Sequence, residues 1–349
     1  MNLNVALFLV QDGLVSGAIY ALLALAFVVV FAVTRVLFVP QGEFVTFGAL
    51  SFAALQLGQV PGIVWLLGAG AVLVTIVDSI GAVRRNRRGD LPRILGVHLL
   101  LPALIVAVTV WLAPQKPPVL VQILLAVALV TPLGPITYRL AFQPVANASV
   151  LMLLIVGVAV HFALQGLGLV FFGAEGYRVA SLFDAKLPIG PIAFSGQQIF
   201  VLATSLVFML ALYLFFGFTL LGKALRATAV HRVGARLVGI RTEYAGALAF
   251  TLAAFMGAIS GVMIIGLTTL YYDSGFIIGL KGLVAAIFGG MLGYPMAIVG
   301  ALIVGIVEAF GSFWASALKD MIVFLFLIPV LLLLSLRAHL IEEGEEDEE

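Results

Sequence analysis

The chain has 349 residues, 63% of them hydrophobic and only 10% charged, with a mean hydropathy of +1.22, whereas an average soluble domain is about 25% charged. This composition excludes a water-soluble globular fold and, with apolar runs of spanning length, predicts an all-α polytopic membrane protein. A formal net charge of +1, no cysteine and four scattered histidines exclude disulfides, thiolate chemistry and a recognisable metal site, and imply no nucleic-acid partner.

Eleven membrane segments are predicted, at 12–34, 42–58, 62–83, 94–113, 119–138, 150–172, 198–221, 243–267, 276–292, 296–315 and 320–337. The opening MNLNVALFLVQDG has no basic flank and no small-residue cleavage pattern, so it does not read as a cleaved signal peptide. Residues 1–340 are expected to form one transmembrane domain. The second segment is interrupted by Pro40, Gln41, Gly42 and Glu43, and the ninth, GLKGLVAAIFGGMLGYP, begins beside Lys281 and ends in glycines and Pro295. Broken segments with polar residues belong where protein encloses a cavity, because unsatisfied backbone cannot face lipid. Gln41, Gly42, Glu43, Phe47, Lys281, Gly289 and Glu308 are therefore the candidate wall of a pathway.

Between the third and fourth segments lies VRRNRRGDLPR, and between the seventh and eighth lies GKALRATAVHRVGARLVGIR. In the latter, Val230, Val233, Leu237 and Ile240 recur at helical spacing, while Lys223, Arg226, Arg232, Arg236 and Arg241 make it too charged for hydrocarbon. It reads as a short amphipathic helix that a soluble partner could engage. Glycines four apart at Gly13/Gly17, Gly257/Gly261, Gly275/Gly279 and Gly289/Gly293 read as helix-packing faces among the 37 glycines. Seven of the 17 acidic residues fall in the last eight positions, so 341–349 reads as a solvated, disordered tail.

Placing the Arg84–Arg93 cluster in the cytoplasm puts Arg35, Arg139, the Gly222–Arg241 loop and Arg337 on the same side. Thirteen of the 18 lysines and arginines are then inside, with Lys116, Arg178, Lys186 and Lys319 outside and Lys281 within a segment. The N-terminus is then extracytoplasmic and the acidic tail cytoplasmic. Glu43 reads either as a helix-end cap or as a residue lining or gating a path. Lys281 and Glu308 could pair structurally, Asp273 reads as an interfacial loop residue, and His98 and His161 as lone histidines satisfied by neighbours.

Three blocks carry a family resemblance: GLVSGAIYALLALAFVVVF followed by QGEFVTFGALSF, then GKALRATAVHRVGARLVGIRTEYAGALAFTLAAFMGAISGVM, then GLKGLVAAIFGGMLGYPMAIVGALIVGIVEAF. In this order and separation they resemble the LivH-type permease subunits of branched-chain amino acid ABC importers. The resemblance implies a channel-forming subunit in the bacterial inner membrane that is not itself an enzyme. It also implies a related second permease, two cytoplasmic ATPase subunits holding ATP and Mg, and an extracytoplasmic substrate-binding protein. No cofactor is expected on this chain. The family's coupling loop maps onto Gly222 to Ile240, which makes Lys223, Arg226, Val230, His231, Val233, Arg236, Leu237 and Gly239 the candidate ATPase-coupling residues. The family usually has His before its Gly-Glu pair, where this chain has Gln41, and an acidic residue in the coupling loop, where it has His231. Residues 57–120 fit less well and look like an inserted helical hairpin. Its arginines read as an orientation anchor, or else as a lipid or partner site.

The function implied is import of a small polar solute, branched-chain or other amino acids first among them. A self-sufficient secondary transporter is the alternative, though inverted repeats and a midplane coupling carboxylate are only weakly suggested. An intramembrane enzyme would need a convergent nucleophile, base or metal set, and none can be assembled.

Overall fold

Helix α1 (Leu3–Thr34) is the axis on which the other helices are hung: from Ala18 to Val30 every side chain is buried. The computed structural model describes residues 2–332 apart from 85, 87, 88, 90, 184, 190, 191 and 292. Arg85, Arg87, Arg88, Arg337 and the acidic tail 341–349, all assigned above to the cytoplasm, lie outside the described residues.

Helix α1 stops where Arg35 turns left-handed (φ 61°) and its amide donates to the Phe31 carbonyl at 2.8 Å. The chain then runs through Val36–Val39 to Pro40, which has no amide hydrogen to give and stands at the start of α2 (Gln41–Gln56). There follow α3 (Ile63–Arg84), α4 (Leu91–Gln115), α5 (Val119–Val145), α6 (Val150–Phe172) and α7 (Gly196–Phe218). Two short helices, α8 (Leu220–Val230) and α9 (Arg232–Leu237), precede α10 (Thr242–Ile264), α11 (Ser274–Phe288), α12 (Tyr294–Trp314) and α13 (Lys319–Leu325).

Within the described residues each of the eleven predicted segments falls largely on helix, so the all-α class holds. The count of eleven, two of them expected to be short or broken, is not confirmed: eight described helices are long and apolar enough to cross a membrane, namely α1, α3, α4, α5, α6, α7, α10 and α12. Helix α2 has 16 residues and α11 has 15, short of the roughly 20 that a complete span needs. The last segment, 320–337, continues past the described residues.

The core is α1, α2 and α10, with α11 and α12 closing it. Gly13 and Gly17 lie directly on the α12 backbone at Leu302, Gly305 and Ile306, while Gly257 and Gly261 lie on α2 between Gln41 and Ala49. Removing side chains at these places lets backbones touch, the main source of attraction when lipid is as apolar as the helices. The periphery is α4, α6 and α7, whose exposed Leu104, Trp111, Phe162, Val170, Leu206 and Leu210 suit contact with acyl chains. The region 57–120 is the peripheral pair α3 and α4, leaning on α5.

Helix ends sort onto two faces. On one, α1 meets the start of α7: Gln198, which completes a capping box with Ser195, donates to Asp12 at 2.9 Å. Over this face lies an antiparallel hairpin, β1 (Lys186–Ile189) with β2 (Ile192–Ser195), that sequence reading did not foresee. At the opposite face Arg93, Arg139 and Arg241 line one cavity, and Arg232 reaches the Ala146 carbonyl beside it. The fold thus brings Arg93, Arg139, Arg232 and Arg241, from three separate stretches of the chain, close together, in keeping with the charge pattern.

Candidate translocation site

The two broken segments meet. Gly42 of α2 rests on the backbone of Gly275 and approaches Gly279 of α11, so closely that a Cβ on Gly42 would overlap the Gly275 carbonyl. Gln41 donates from Nε2 to the Ala253 carbonyl of α10 at 2.9 Å, fixing the start of α2 halfway along that helix.

Glu43, one residue further, is fully buried, and its carboxylate oxygen lies 3.0 Å from His161 Nδ1 on α6. The reading of Glu43 as a helix-end cap is thereby corrected, since neither carboxylate oxygen takes a backbone amide of α2. His161, expected to be satisfied by a neighbour, approaches Glu43 through Nδ1 without forming a hydrogen bond, and its ring stacks on Phe276 of α11 with centroids 4.5 Å apart. Phe47 completes this wall against Phe172 of α6. Among the described residues both Glu43 oxygens, His161 Nδ1 and the buried hydroxyl of Thr46 make no hydrogen bond, so the contact between Glu43 and His161 is one of charge and proximity, and each of these buried polar groups asks for more than a packing role.

Gln41, Gly42, Glu43 and Phe47 are all sealed inside the chain. Helices α6, α10 and α11 cover them, so any pathway they wall would have to open within this chain.

Lys281 lies farther along α11 in a separate cluster. Its ammonium is 2.5 Å from Glu308 Oε1 of α12 and 2.7 Å from Asp320 Oδ1 of α13, and Tyr20 of α1 donates to the other Glu308 oxygen at 2.5 Å. The side chains grade from Lys281 at 5% exposed through Glu308 at 14% to Asp320 at 36%. That gradient follows a cleft of about 630 Å³ that also reaches Asp12, Ser16 and Gln198 at the face where α1 begins. Lys281 and Lys319 with the carboxylates of Asp12, Glu308 and Asp320 give this cleft groups of both signs, which can offer opposite charges to the two ends of a small zwitterion. Tyr20 and Asp320 escaped the sequence reading, the first as one hydroxyl in an apolar run, the second because it sits at a segment boundary. Gly289 is not part of either cluster; it ends α11 and faces Gly293 and Ala297 in the turn to α12.

The coupling segment lies on the opposite face and is not one helix. Thr219 caps α8, and at His231 the backbone becomes extended (φ −148°, ψ 95°), with Nδ1 accepting from the Gly234 amide at 2.7 Å to start α9. His231 is therefore an N-cap between two helices. Val230 (85%), Val233 and Leu237 (84%) remain exposed, and Lys223 and Arg226 stand out from α8. Arg232, partly buried, donates to the Ala146 carbonyl, and the exposed Arg236 donates to the Thr242 hydroxyl. Gly239 supplies a positive φ of 86° where the chain turns toward α10.

A family model described as the branched-chain amino acid transport system permease component matches residues 9–334. The chain is 33% identical over 205 residues to the high-affinity branched-chain amino acid transport system permease protein LivH of Escherichia coli strain K12, and equally to that of Salmonella typhimurium. It is 28% identical over 201 residues to the corresponding permease protein BraD of Pseudomonas aeruginosa. Each match covers 56% of this chain and 66% of the relative. No solved structure matches the chain. A match along nearly the whole length, on a polytopic helical fold in which the α2 and α11 breaks meet, places this chain in the family of branched-chain amino acid transport system permease components.

Proposed function

We propose that the chain is the membrane-embedded permease subunit of an ATP-driven importer of small zwitterionic solutes, branched-chain amino acids first among them. It would sit in the bacterial inner membrane with the α8/α9 face in the cytoplasm. A related second permease, two ATPase subunits carrying ATP and Mg, and an extracytoplasmic binding protein complete the transporter. This chain holds no nucleotide.

The observation that carries this reading is the Lys281, Glu308 and Asp320 cluster at the floor of the open cleft. Ionisable groups within membrane helices are costly and tend to mark substrate paths, and a cleft of this size falls within the usual range for small-ligand sites, roughly 300–1,000 Å³. The Lys281 ammonium would exchange Glu308 for the solute's carboxylate, while Asp320 at the mouth would receive its ammonium. Weak, exchangeable contacts of this kind suit passage better than tight binding. At the other face, Val230, Val233 and Leu237 form an apolar ridge suited to a groove on a soluble ATPase.

The test is uptake of labelled leucine into vesicles containing this chain, its second permease and the ATPases, with the binding protein outside. Uptake should require ATP and should fall at least tenfold in Lys281→Gln, a cost of about 1.4 kcal/mol or more. Uptake by the chain alone, driven by an ion gradient without ATP, would instead establish a secondary transporter.

A further inference from the structure

A cavity of about 1230 Å³ opens between the α3/α4 pair and helices α5 and α10, well away from the Lys281 cleft. Two π-helical turns border it, Gly96–Leu100 in α4 and Tyr138–Phe142 in α5, and each carries one polar side chain toward the same carboxylate. Arg139 donates from Nε to Asp78 Oδ1 at 2.6 Å, with a terminal guanidinium nitrogen on the same oxygen, while His98 Nε2 stands 3.5 Å from Oδ2. A π-turn admits an extra residue at some expense in helix stability and re-aims the side chains around it, and such turns are frequent at functional sites. Here they hold Arg139, about one-third exposed, in the cavity wall with Asp78 behind it as its positioning partner.

The lining changes character with depth. Val77, Leu101, Pro102, Ile136 and Ala247 form apolar wall, whereas Arg93, Arg139 and Arg241 are cationic against the two carboxylates of Asp78 and Glu243. Tyr244 steadies Arg241 by a cation–π contact at 5.6 Å. Gly89 also lines the cavity and follows Arg87 and Arg88 in sequence. The cationic groups belong to the helix ends, at the level where a bilayer changes from hydrocarbon to headgroup. Beside them the outer surfaces of α3 and α4 expose Leu73, Ile76, Ile80 and Leu104, which need acyl chains around them. The cavity therefore borders hydrocarbon along its side and positive charge at its end.

We propose that this cavity is a binding site for one anionic phospholipid, its phosphate held by Arg139 and Arg241 and one acyl chain lying against Val77, Leu101 and Ile136. A free anion would gain from the arginines alone and leave the apolar wall unfilled. A neutral lipid would fill the wall and forgo the net positive charge. Only the anionic lipid uses both. The α3/α4 pair thereby acquires a role beyond orientation: the lipid would join it to α5 and α10, the helix that continues directly from the coupling segment.

Native mass spectrometry of the full chain, purified in neutral detergent, tests this with phosphatidylglycerol and phosphatidylcholine of identical acyl chains. One phosphatidylglycerol should be retained in preference to phosphatidylcholine. At about five-fold in affinity per basic residue near an anionic headgroup, the preference should fall roughly 30-fold in Arg139→Gln/Arg241→Gln. It should persist in Lys223→Gln/Arg226→Gln, which removes the same charge elsewhere. Should the arginine pair fail to fold, Val77→Trp fills the apolar wall without changing charge and should lower phosphatidylglycerol occupancy several-fold. Equal retention of the two lipids, an unchanged preference in the Arg139/Arg241 variant, or full occupancy in Val77→Trp would each overturn the proposal. Displacement of the lipid by millimolar inorganic phosphate would assign the cavity to a soluble anion and overturn it as well.

Discussion

His161 of α6 stands 3.0 Å from the Glu43 carboxylate of α2, and both side chains are closed off from the surroundings of the chain. Most of α6 faces outward, so this contact, with Phe172 against Phe47, ties a peripheral helix to the buried break before α2.

Removing one member of such a pair should hurt more than removing both. His161→Ala is expected to cost about 3 kcal/mol, because it leaves a buried carboxylate without its partner. Adding Glu43→Gln should recover part of that loss. Thermal unfolding of the two single variants and the double variant gives the coupling, and additivity within about 0.5 kcal/mol would show that the two residues do not support each other.

Gly42 should tolerate no side chain, and the defect should appear in assembly before it appears in transport. A Cβ there overlaps the Gly275 carbonyl, so Gly42→Ala should cost about 1–3 kcal/mol through overpacking, and Gly42→Trp should yield little folded protein. Size-exclusion profiles of membrane extracts measure this. Normal folded yield with lost uptake would restore Gly42 as a lining residue of an open path.

Val233→Asp/Leu237→Asp should leave the chain folded in the membrane, since both side chains are exposed. In the proposed transporter it should reduce ATP-driven uptake more than tenfold while the ATPases continue to hydrolyse ATP, or fail to bind at all. His231→Ala should have a smaller effect, about 1 kcal/mol on α9 through loss of its cap. Parallel uptake and hydrolysis assays separate the two, and unimpaired uptake by the double Asp variant would remove the α8/α9 ridge from the coupling surface.

Because the chain lacks cysteine, single engineered cysteines report its orientation cleanly. Asn86→Cys should be inert to a membrane-impermeant thiol reagent in intact cells and react after lysis. Glu175→Cys, beyond the end of α6 that lies away from the basic face, should react in both. The reverse pattern would invert the topology.

Hydropathy made the helices legible because a long apolar run in a membrane protein has few other fates. The breaks at Pro40 and around Lys281 were legible for the complementary reason, that polar backbone and side chains need enclosure. Their contact was not: nothing in the composition of either segment specifies that Gly42 meets Gly275. The Gly222–Arg241 periodicity hid its interruption, because His231 looks like one more polar position until its Nδ1 takes the Gly234 amide. His161 read as a lone histidine because its partner lies on a different helix. The π-turns in α4 and α5 left no trace, since GVHLL and YRLAF carry no residue pattern that separates a π-turn from the α-helix around it.

The pairing of Tyr20 with Glu308 joins residues 288 positions apart, which sets a timetable for biogenesis. At roughly 5–20 residues per second of synthesis, α1 must wait on the order of 15–60 s in the bilayer before α12 emerges to cover Gly13, Gly17 and the Tyr20 hydroxyl. During that interval its glycine stripe is an open invitation to any small-faced helix nearby. Nascent chains stalled before α12 should therefore be the species that quality-control proteases recognise, and insertion of α1 and completion of its packing are events separated by the synthesis of 288 residues.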